Sequence, residues 1–123
     1  MNLLTVAGWT VRVAGLVVLV LGLVVWTGAY SGAVPIHMLA GIVLVVGLWA
    51  VALLAARAGA PNTLVAVAIG WGLLTVAFGL TQDQLLPGDA HVVVEVAHLL
   101  VGLVAIGLGE MLTARTRRGA ATA

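Results

Sequence analysis

Two histidines, His37 and His98, are the residues of this chain with the clearest capacity for chemistry. They lie 61 residues apart, and each is followed four residues later by a glycine, Gly41 or Gly102. Their surroundings are apolar, since the chain is 63% hydrophobic and 7% charged. A histidine is costly within a bilayer and usually faces the interior of a helix bundle, where a neutral imidazole can bind a metal. The repeated spacing indicates two matched ligands, each with space cleared one helical turn away.

Two imidazoles that face each other at one depth are the arrangement that binds a haem iron from both sides. The sequence thus predicts one haem b per chain, with His37 and His98 as the axial ligands of the iron and Gly41 and Gly102 beside the porphyrin. The chain has no cysteine, which excludes thiolate ligation, iron–sulfur clusters and covalent attachment of haem. The alternative is that the histidines form hydrogen bonds that only hold helices together.

Two further polar residues precede His98 on the same face of its helix. Glu95 lies one turn before His98, where its carboxylate could orient the imidazole, bind a proton or contact a substrate, or else extend into the outer headgroups. Glu95 is the candidate catalytic residue. His91 lies seven residues before His98, and there we expect a solvated residue of the interface. Contact with a haem propionate and proton transfer are the alternatives for His91.

Four long apolar segments must position these residues. The mean hydropathy is +1.28, and crossing a bilayer takes about 20 mostly apolar residues. Backbone polar groups in lipid are satisfied within each segment, so the segments form helices. The predicted fold is all-α, a single transmembrane domain over residues 1–123. Its four helices run up and down as a bundle, at approximately 8–28, 35–57, 63–81 and 90–113.

The two halves of the chain repeat each other. Helical hairpins are predicted at approximately 1–58 and 61–115, followed by a short cytoplasmic tail at 116–123. The histidine–glycine phrase marks the second helix of each hairpin, and glycine–leucine pairs mark the first helices with equal spacing, at Gly15, Gly22, Gly72 and Gly79. Parallel repeats of this kind are related by rotation about the membrane normal. We assign these four glycines to ordinary close packing of helices.

The charges predict the orientation of the bundle. Arg57 lies between the second and third helices, and three arginines follow the fourth, at Arg115, Arg117 and Arg118. The opposite end carries Asp83 and Asp89 and no basic residue. The positive-inside rule therefore places both termini in the cytoplasm, in a multi-pass protein of the cytoplasmic (inner) membrane. Glu110, near the cytoplasmic end, is expected to pair with an arginine or to lie in the interface.

The cytoplasmic arginines also give the depth of the histidines. His37 lies 20 residues from Arg57, and His98 lies 17 residues from Arg115. At the rise of an α-helix these separations are about 30 and 26 Å, which differ by less than one helical turn. The second and fourth helices run parallel and lie on the diagonal of an antiparallel ring. We therefore expect the two imidazoles to meet at one depth, towards the outer face.

The segment Glu95-Val-Ala-His98 resembles the E-x-x-H element of the haem A synthase family. Members of that family consist of two fused four-helix halves, with histidines on the second and fourth helices of each half at about the interval between His37 and His98. The resemblance covers this chain and half of a family member. It implies a four-helix bundle with a b-type haem between the two histidines, and a role for Glu95 in substrate chemistry. Leu99 departs from the arginine common in the family motif. Small four-helix membrane cytochromes b are also similar.

Three functions are compatible with these features. The first is a small integral membrane haem b protein, bis-histidine, in electron transfer or haem handling near the outer face. The second is a haem-dependent membrane oxidoreductase related to haem A synthase, acting on a substrate such as a quinol and working as a dimer. The third is a cofactor-free accessory membrane subunit. Besides the lipid bilayer, the expected partners are a quinone or membrane redox partner, and a second copy or a larger complex. A net charge of +1 gives no indication of nucleic acid.

Overall fold

The structure is a computed structural model that describes residues 2–122 as four helices and no strand. The helices are α1 (Leu3–Trp26), α2 (Val34–Arg57), α3 (Asn62–Thr81) and α4 (His91–Thr122). Each of them is long and apolar enough to cross a membrane. Short connections join them, with single 3₁₀ turns at Ser31–Ala33, Gln82–Gln84 and Gly88–Ala90. The predicted all-α, four-helix transmembrane bundle is confirmed.

Local sequence signals set the helix ends. Pro35 lies in the first turn of α2, where its missing N–H is not needed. Gly59, with φ of +86°, adopts the left-handed conformation that ends α2 and turns the chain into α3. The N-terminal end differs from the prediction: α1 begins at Leu3 rather than near residue 8, because the Asn2 side chain caps it. The Asn2 Oδ1 accepts a hydrogen bond of 2.8 Å from the backbone N–H of Thr5.

The C-terminal end also differs from the prediction. The segment 116–122, expected as a tail after the fourth span, continues α4 as helix, and residue 123 lies outside the described residues. Arginine and alanine are strong helix formers and no proline interrupts this segment. The Thr116 hydroxyl donates to the Leu112 carbonyl one turn back, at 2.9 Å. The fourth helix therefore extends well beyond the apolar stretch that crosses the membrane.

The four helices form a ring with one short diagonal. Sequential helices contact each other, α1 also contacts α4, and α2 contacts α4 across the middle, whereas α1 and α3 make no contact within residues 2–122. α2 contributes more buried apolar side chains than any other helix, and they lie in the half of the bundle near Arg57. The buried apolar side chains of α2 are Leu44, Val45, Leu48, Val51, Ala52 and Ala55. The helices that carry His37 and His98 are thus the central pair.

Equivalent residues of the two halves make equivalent contacts. Residues of α1 and α3 correspond at an offset of 57, and those of α2 and α4 at an offset of 61. A methyl group added to Gly15 would touch Ile106, and one added to the equivalent Gly72 would touch the equivalent Val45 and, in addition, Trp49. These contacts support the two-hairpin repeat and agree with the expected close packing at Gly15 and Gly72.

An ion pair between α1 and α4 has an uncharged counterpart in the other half of the chain. Arg12 of α1 binds Glu110 of α4 through two bonds of 2.7 Å, Nε to Oε1 and Nη2 to Oε2. The equivalent positions in α3 and α2 are Ile69 and Trp49, where the Trp49 indole N–H donates to the Ile69 carbonyl at 3.2 Å. The expected pairing of Glu110 with an arginine is confirmed. No loop joins α1 to α4, so this pair fastens the first and last helices directly.

We expect removal of one partner of this pair to lower the thermal stability of the detergent-purified protein. Arg12 lies seven residues inward of Thr5, whose hydroxyl contacts Arg117 at 3.4 Å, so the pair is about 10 Å inside the level of the terminal arginines. Glu110→Leu leaves Arg12 unpaired at that depth, which is unfavourable. The double variant Arg12→Leu/Glu110→Leu should recover most of the lost unfolding temperature. Additive losses in the double-mutant cycle would contradict a coupled pair.

Candidate functional site

The imidazoles of His37 and His98 meet between α2 and α4. Their ring centres are 6.1 Å apart, with an angle of 57° between the ring planes. The two histidines therefore lie at one depth, as the arginine spacing predicts. A bond from a metal to an imidazole nitrogen is about 2 Å long and the ring centre lies roughly 1 Å behind that nitrogen, so two imidazoles in trans on one metal have ring centres roughly 6 Å apart. The observed separation matches this value.

His37 is held by a hydrogen bond to the neighbouring helix. Its Nδ1 lies 3.1 Å from the Val18 carbonyl oxygen of α1. Because a carbonyl only accepts, Nδ1 carries the proton and donates, which leaves Nε2 as the nitrogen with a free lone pair. Metal-binding histidines usually have their second ring N–H fixed in this way.

A glycine makes this bond accessible. Gly22 lies one turn after Val18 on α1, and a methyl group added to Gly22 would come within 3.1 Å of the His37 Cε1 and 3.5 Å of its Nδ1. The missing side chain thus lets the imidazole reach the backbone of α1. Gly22 was assigned to ordinary helix packing, and that assignment is incomplete because its neighbour is the His37 ring.

His98 lies against the equivalent glycine of the other half. A methyl group added to Gly79 would come within 3.2 Å of the His98 Cε1. The Phe78 ring meets the imidazole edge to face, with 5.8 Å between ring centres. The His98 Nδ1 is buried and has no hydrogen-bond partner among the described residues. Ordinary packing is an incomplete description of Gly79 too, and His98 retains an unsatisfied polar atom that a histidine used only for packing would be expected to satisfy.

The space inward of both histidines is loosely packed. From His37 to Leu44 and from His98 to Ala105 the pattern of exposure is the same, and no residue between the ends of either segment is buried. The first buried side chains, Leu44 and Ala105, lie two helical turns inward, or about 10 Å, a height comparable with the width of a porphyrin. A methyl group added to Gly41 or Gly102 would meet nothing within 4 Å. Both glycine positions are open, and their place beside a porphyrin stays a prediction.

Glu95 and His91, the other predicted site residues, do not join the histidine pair by hydrogen bonds. Glu95 is partly exposed and makes no hydrogen bond or ion pair with the described residues. His91 begins α4, and its Nδ1 lies 3.1 Å from the Leu85 carbonyl oxygen, so it fastens the preceding loop. Leu86 next to that carbonyl has φ of +43°, which few residues other than glycine adopt, and the His91 bond helps to hold this turn.

The donor set suits a metal that brings most of its own ligands. The part of the chain that the structure describes contains no group of three or more histidine, cysteine, aspartate or glutamate side chains that could hold a metal ion. Zinc sites use three or four protein ligands, whereas haem supplies four nitrogens and needs only axial ligands from the protein. Two imidazoles at this spacing could supply the two axial ligands that a haem needs.

The fold and the site together define a class of protein, a multi-pass α-helical membrane protein with a histidine pair at its centre. Comparisons with protein-family models, with curated proteins and with solved structures find no match to this chain. The assignment of function therefore rests on the geometry of the histidine pair and its surroundings.

Proposed function

We propose that this chain is a small integral membrane protein that binds one haem b between His37 and His98 and works in electron transfer or haem handling near the outer face of the cytoplasmic membrane. The observation that carries the proposal is the 6.1 Å separation of the two ring centres, at one depth, between parallel helices. Bound haem supplies an iron that exchanges one electron. A quinone or another membrane redox partner would then exchange electrons with this chain, alone, as a homodimer or within a larger complex.

The residues of the chain have separate tasks in this proposal. His37 presents Nε2 in a fixed direction because its Nδ1 donates to Val18. His98 presents a ligand from the opposite side. Gly41 and Gly102 leave room for the macrocycle, and the packed core inward of Leu44 holds α2 and α4 at the required separation. The open positions at both glycines, one turn inward of the histidines, agree with this division.

The visible spectrum of the detergent-purified protein, expressed with ample haem, tests the proposal. Two neutral imidazoles on one iron give a six-coordinate, low-spin haem with sharp bands on reduction, and haem held without cysteine extracts into acidic organic solvent. A colourless protein that also fails to take up added haem would contradict the proposal and favour a cofactor-free accessory subunit.

Glu95 supports a second candidate, a haem-dependent oxidoreductase acting on a membrane-soluble substrate such as a quinol. Its carboxylate has no partner among the described residues and lies one turn outward of His98, where it could accept a substrate proton. Glu95→Gln should then leave the haem spectrum unchanged and abolish reduction of the haem by a quinol. Unchanged quinol oxidation in this variant would remove the catalytic role proposed for Glu95.

We expect both termini in the cytoplasm and the 82–90 loop on the outer side. Four arginines lie at the ends of α2 and α4, and Asp83 and Asp89 lie at the opposite end. The chain has no cysteine, so single cysteines introduced by Asp89→Cys and Ala120→Cys can be labelled without background. An impermeant thiol reagent applied to intact cells should label the first variant and reach the second only after lysis. The reverse labelling would invert the orientation.

A further inference from the structure

Apart from the Phe78 ring beside His98, the surroundings of His37 and His98 differ in one respect, their hydrogen bonds. Each imidazole lies against a glycine of the adjacent helix, Gly22 or Gly79, with its Cε1 towards that glycine. Each is followed by the same pattern of open and buried positions along its helix. The difference is the second ring nitrogen, since Nδ1 of His37 binds a backbone carbonyl and Nδ1 of His98 binds nothing among the described residues.

The repeat identifies the residue of α3 that is equivalent to the hydrogen-bond acceptor of His37. The carbonyl that binds His37 belongs to Val18, and the equivalent residue of α3 is Thr75. The Thr75 hydroxyl donates to the Trp71 carbonyl at 2.8 Å, and neither that hydroxyl nor the Thr75 carbonyl accepts a hydrogen bond from the Nδ1 of His98. The His98 ring is instead placed by contact with Gly79 and with the edge of Phe78, which restrict its position but do not select the nitrogen that it presents.

This asymmetry has a consequence for two ligands on one metal. Dissociation of His37 would leave an imidazole still fixed in its binding position, so it would rebind at once. Dissociation of His98 breaks no hydrogen bond, and the freed ring can rotate. An imidazole whose N–H donates to a carbonyl is also the stronger base and the stronger ligand. The more easily displaced ligand is therefore His98.

We propose, on the basis of the function proposed above, that the His98 side of the site is a binding position for a small uncharged ligand of ferrous iron, and that His37 is the permanent ligand. With haem bound, exchange at this position would replace His98 by the incoming ligand, with no change in oxidation state and no proton transfer. The residues that α3 places against His98, Gly79 and Phe78, are apolar, and apolar surroundings favour a diatomic gas over a hydrated anion. Carbon monoxide is the probe of this class.

Single substitutions in the haem-loaded protein test whether His98 is displaced more easily than His37. His98→Ala should keep haem at the stoichiometry of the parent, become high-spin, bind carbon monoxide rapidly, and return to low-spin with added imidazole. His37→Ala should lose haem affinity by about tenfold or more. Because His37→Ala could fail to fold, its helicity by circular dichroism and its elution volume are compared with those of the parent. Added imidazole should not return the haem content of His37→Ala, in the low-spin form, to the level of the parent.

The two glycines provide a matched pair of variants that keep both histidines. An added methyl group would displace His37 in Gly22→Ala and His98 in Gly79→Ala, by similar small amounts. Gly79→Ala should therefore increase the rate of carbon monoxide binding while haem is retained, and Gly22→Ala should instead reduce haem retention. If His37→Ala and His98→Ala had equal effects, or if His98→Ala lost more haem than His37→Ala, the proposed difference between the two ligands would be wrong and the proposal of haem binding would stand. A parent that binds no haem would overturn both proposals.

Discussion

The double variant His37→Ala/His98→Ala should bind no haem and still fold as a four-helix bundle. If the proposed function holds, this variant lacks both axial ligands, so neither side of the iron would keep a protein bond. The main buried cluster, which includes Leu44 and Ala105 inward of both residues, contains neither histidine. Haem content by absorbance after purification, with helicity by circular dichroism on the same sample, gives the two readouts. Loss of haem with the parent helicity is the expected result.

His91→Ala is the matched control for this variant. His91 lies seven residues before His98, about 10 Å further out along the same helix, and its hydrogen bond is to the loop at Leu85. The haem spectrum of this variant should be that of the parent. If His91→Ala lost haem while the double variant retained it, the site would lie two turns closer to the outer aqueous phase and the pairing of His37 with His98 would be irrelevant to haem.

The bundle and the depth of the histidines were predictable because they depend on the lengths of segments and not on individual side-chain contacts. Apolar length identifies a span, and a constant rise per residue converts the intervals to Arg57 and Arg115 into equal depths. The up-and-down order follows from connections too short to cross the bundle. These features need no knowledge of side-chain contacts, and so the ring separation between His37 and His98 agrees with expectation.

The helix ends were less predictable because they depend on single local interactions. One hydrogen bond, which the Thr5 backbone N–H donates to the Asn2 side chain, moves the start of α1 outward by more than a turn. The ion pair with Glu110 lets α1 continue through Arg12 without leaving a lone charge in lipid. At the other end, α4 continues past Arg115 because helix-forming residues keep their propensity after the chain leaves the membrane.

The contacts of Gly22 and Gly79 with the histidines were missed, although the first hairpin contains a signal for one of them. In a hairpin of antiparallel helices, residues equally distant from the turn lie side by side, and Gly22 and His37 are nearly symmetric about the turn between α1 and α2. The second hairpin has no such symmetry, since Gly79 lies two residues before the end of α3 and His98 lies seven residues after the start of α4. The carbonyl of Val18 and the free Nδ1 of His98 have no such signal, because they depend on the rotation of each ring.

The open positions at Gly41 and Gly102 give the second large expected effect. Each lies one turn inward of a histidine, and a methyl group added there would meet no atom within 4 Å. A leucine at either position therefore starts from an open Cβ position, and leucine favours helix more than glycine does. If a porphyrin fills this space, the leucine side chain occupies the volume that the macrocycle needs. The same substitution should thus be harmless to the empty bundle and severe for haem binding.

Gly41→Leu and Gly102→Leu should each abolish haem retention, or reduce the haem affinity by about tenfold or more, with the unfolding temperature of the haem-free protein unchanged or raised. Gly107→Leu and Gly70→Leu are matched controls, since both glycines lie on membrane helices, are exposed, and have nothing within 4 Å of an added methyl group. Both controls should bind haem as the parent does. Haem titration of the four purified variants, beside thermal unfolding without haem, makes the comparison. Full haem binding by Gly41→Leu and Gly102→Leu would place the macrocycle elsewhere and leave the two open glycines as lipid-facing positions.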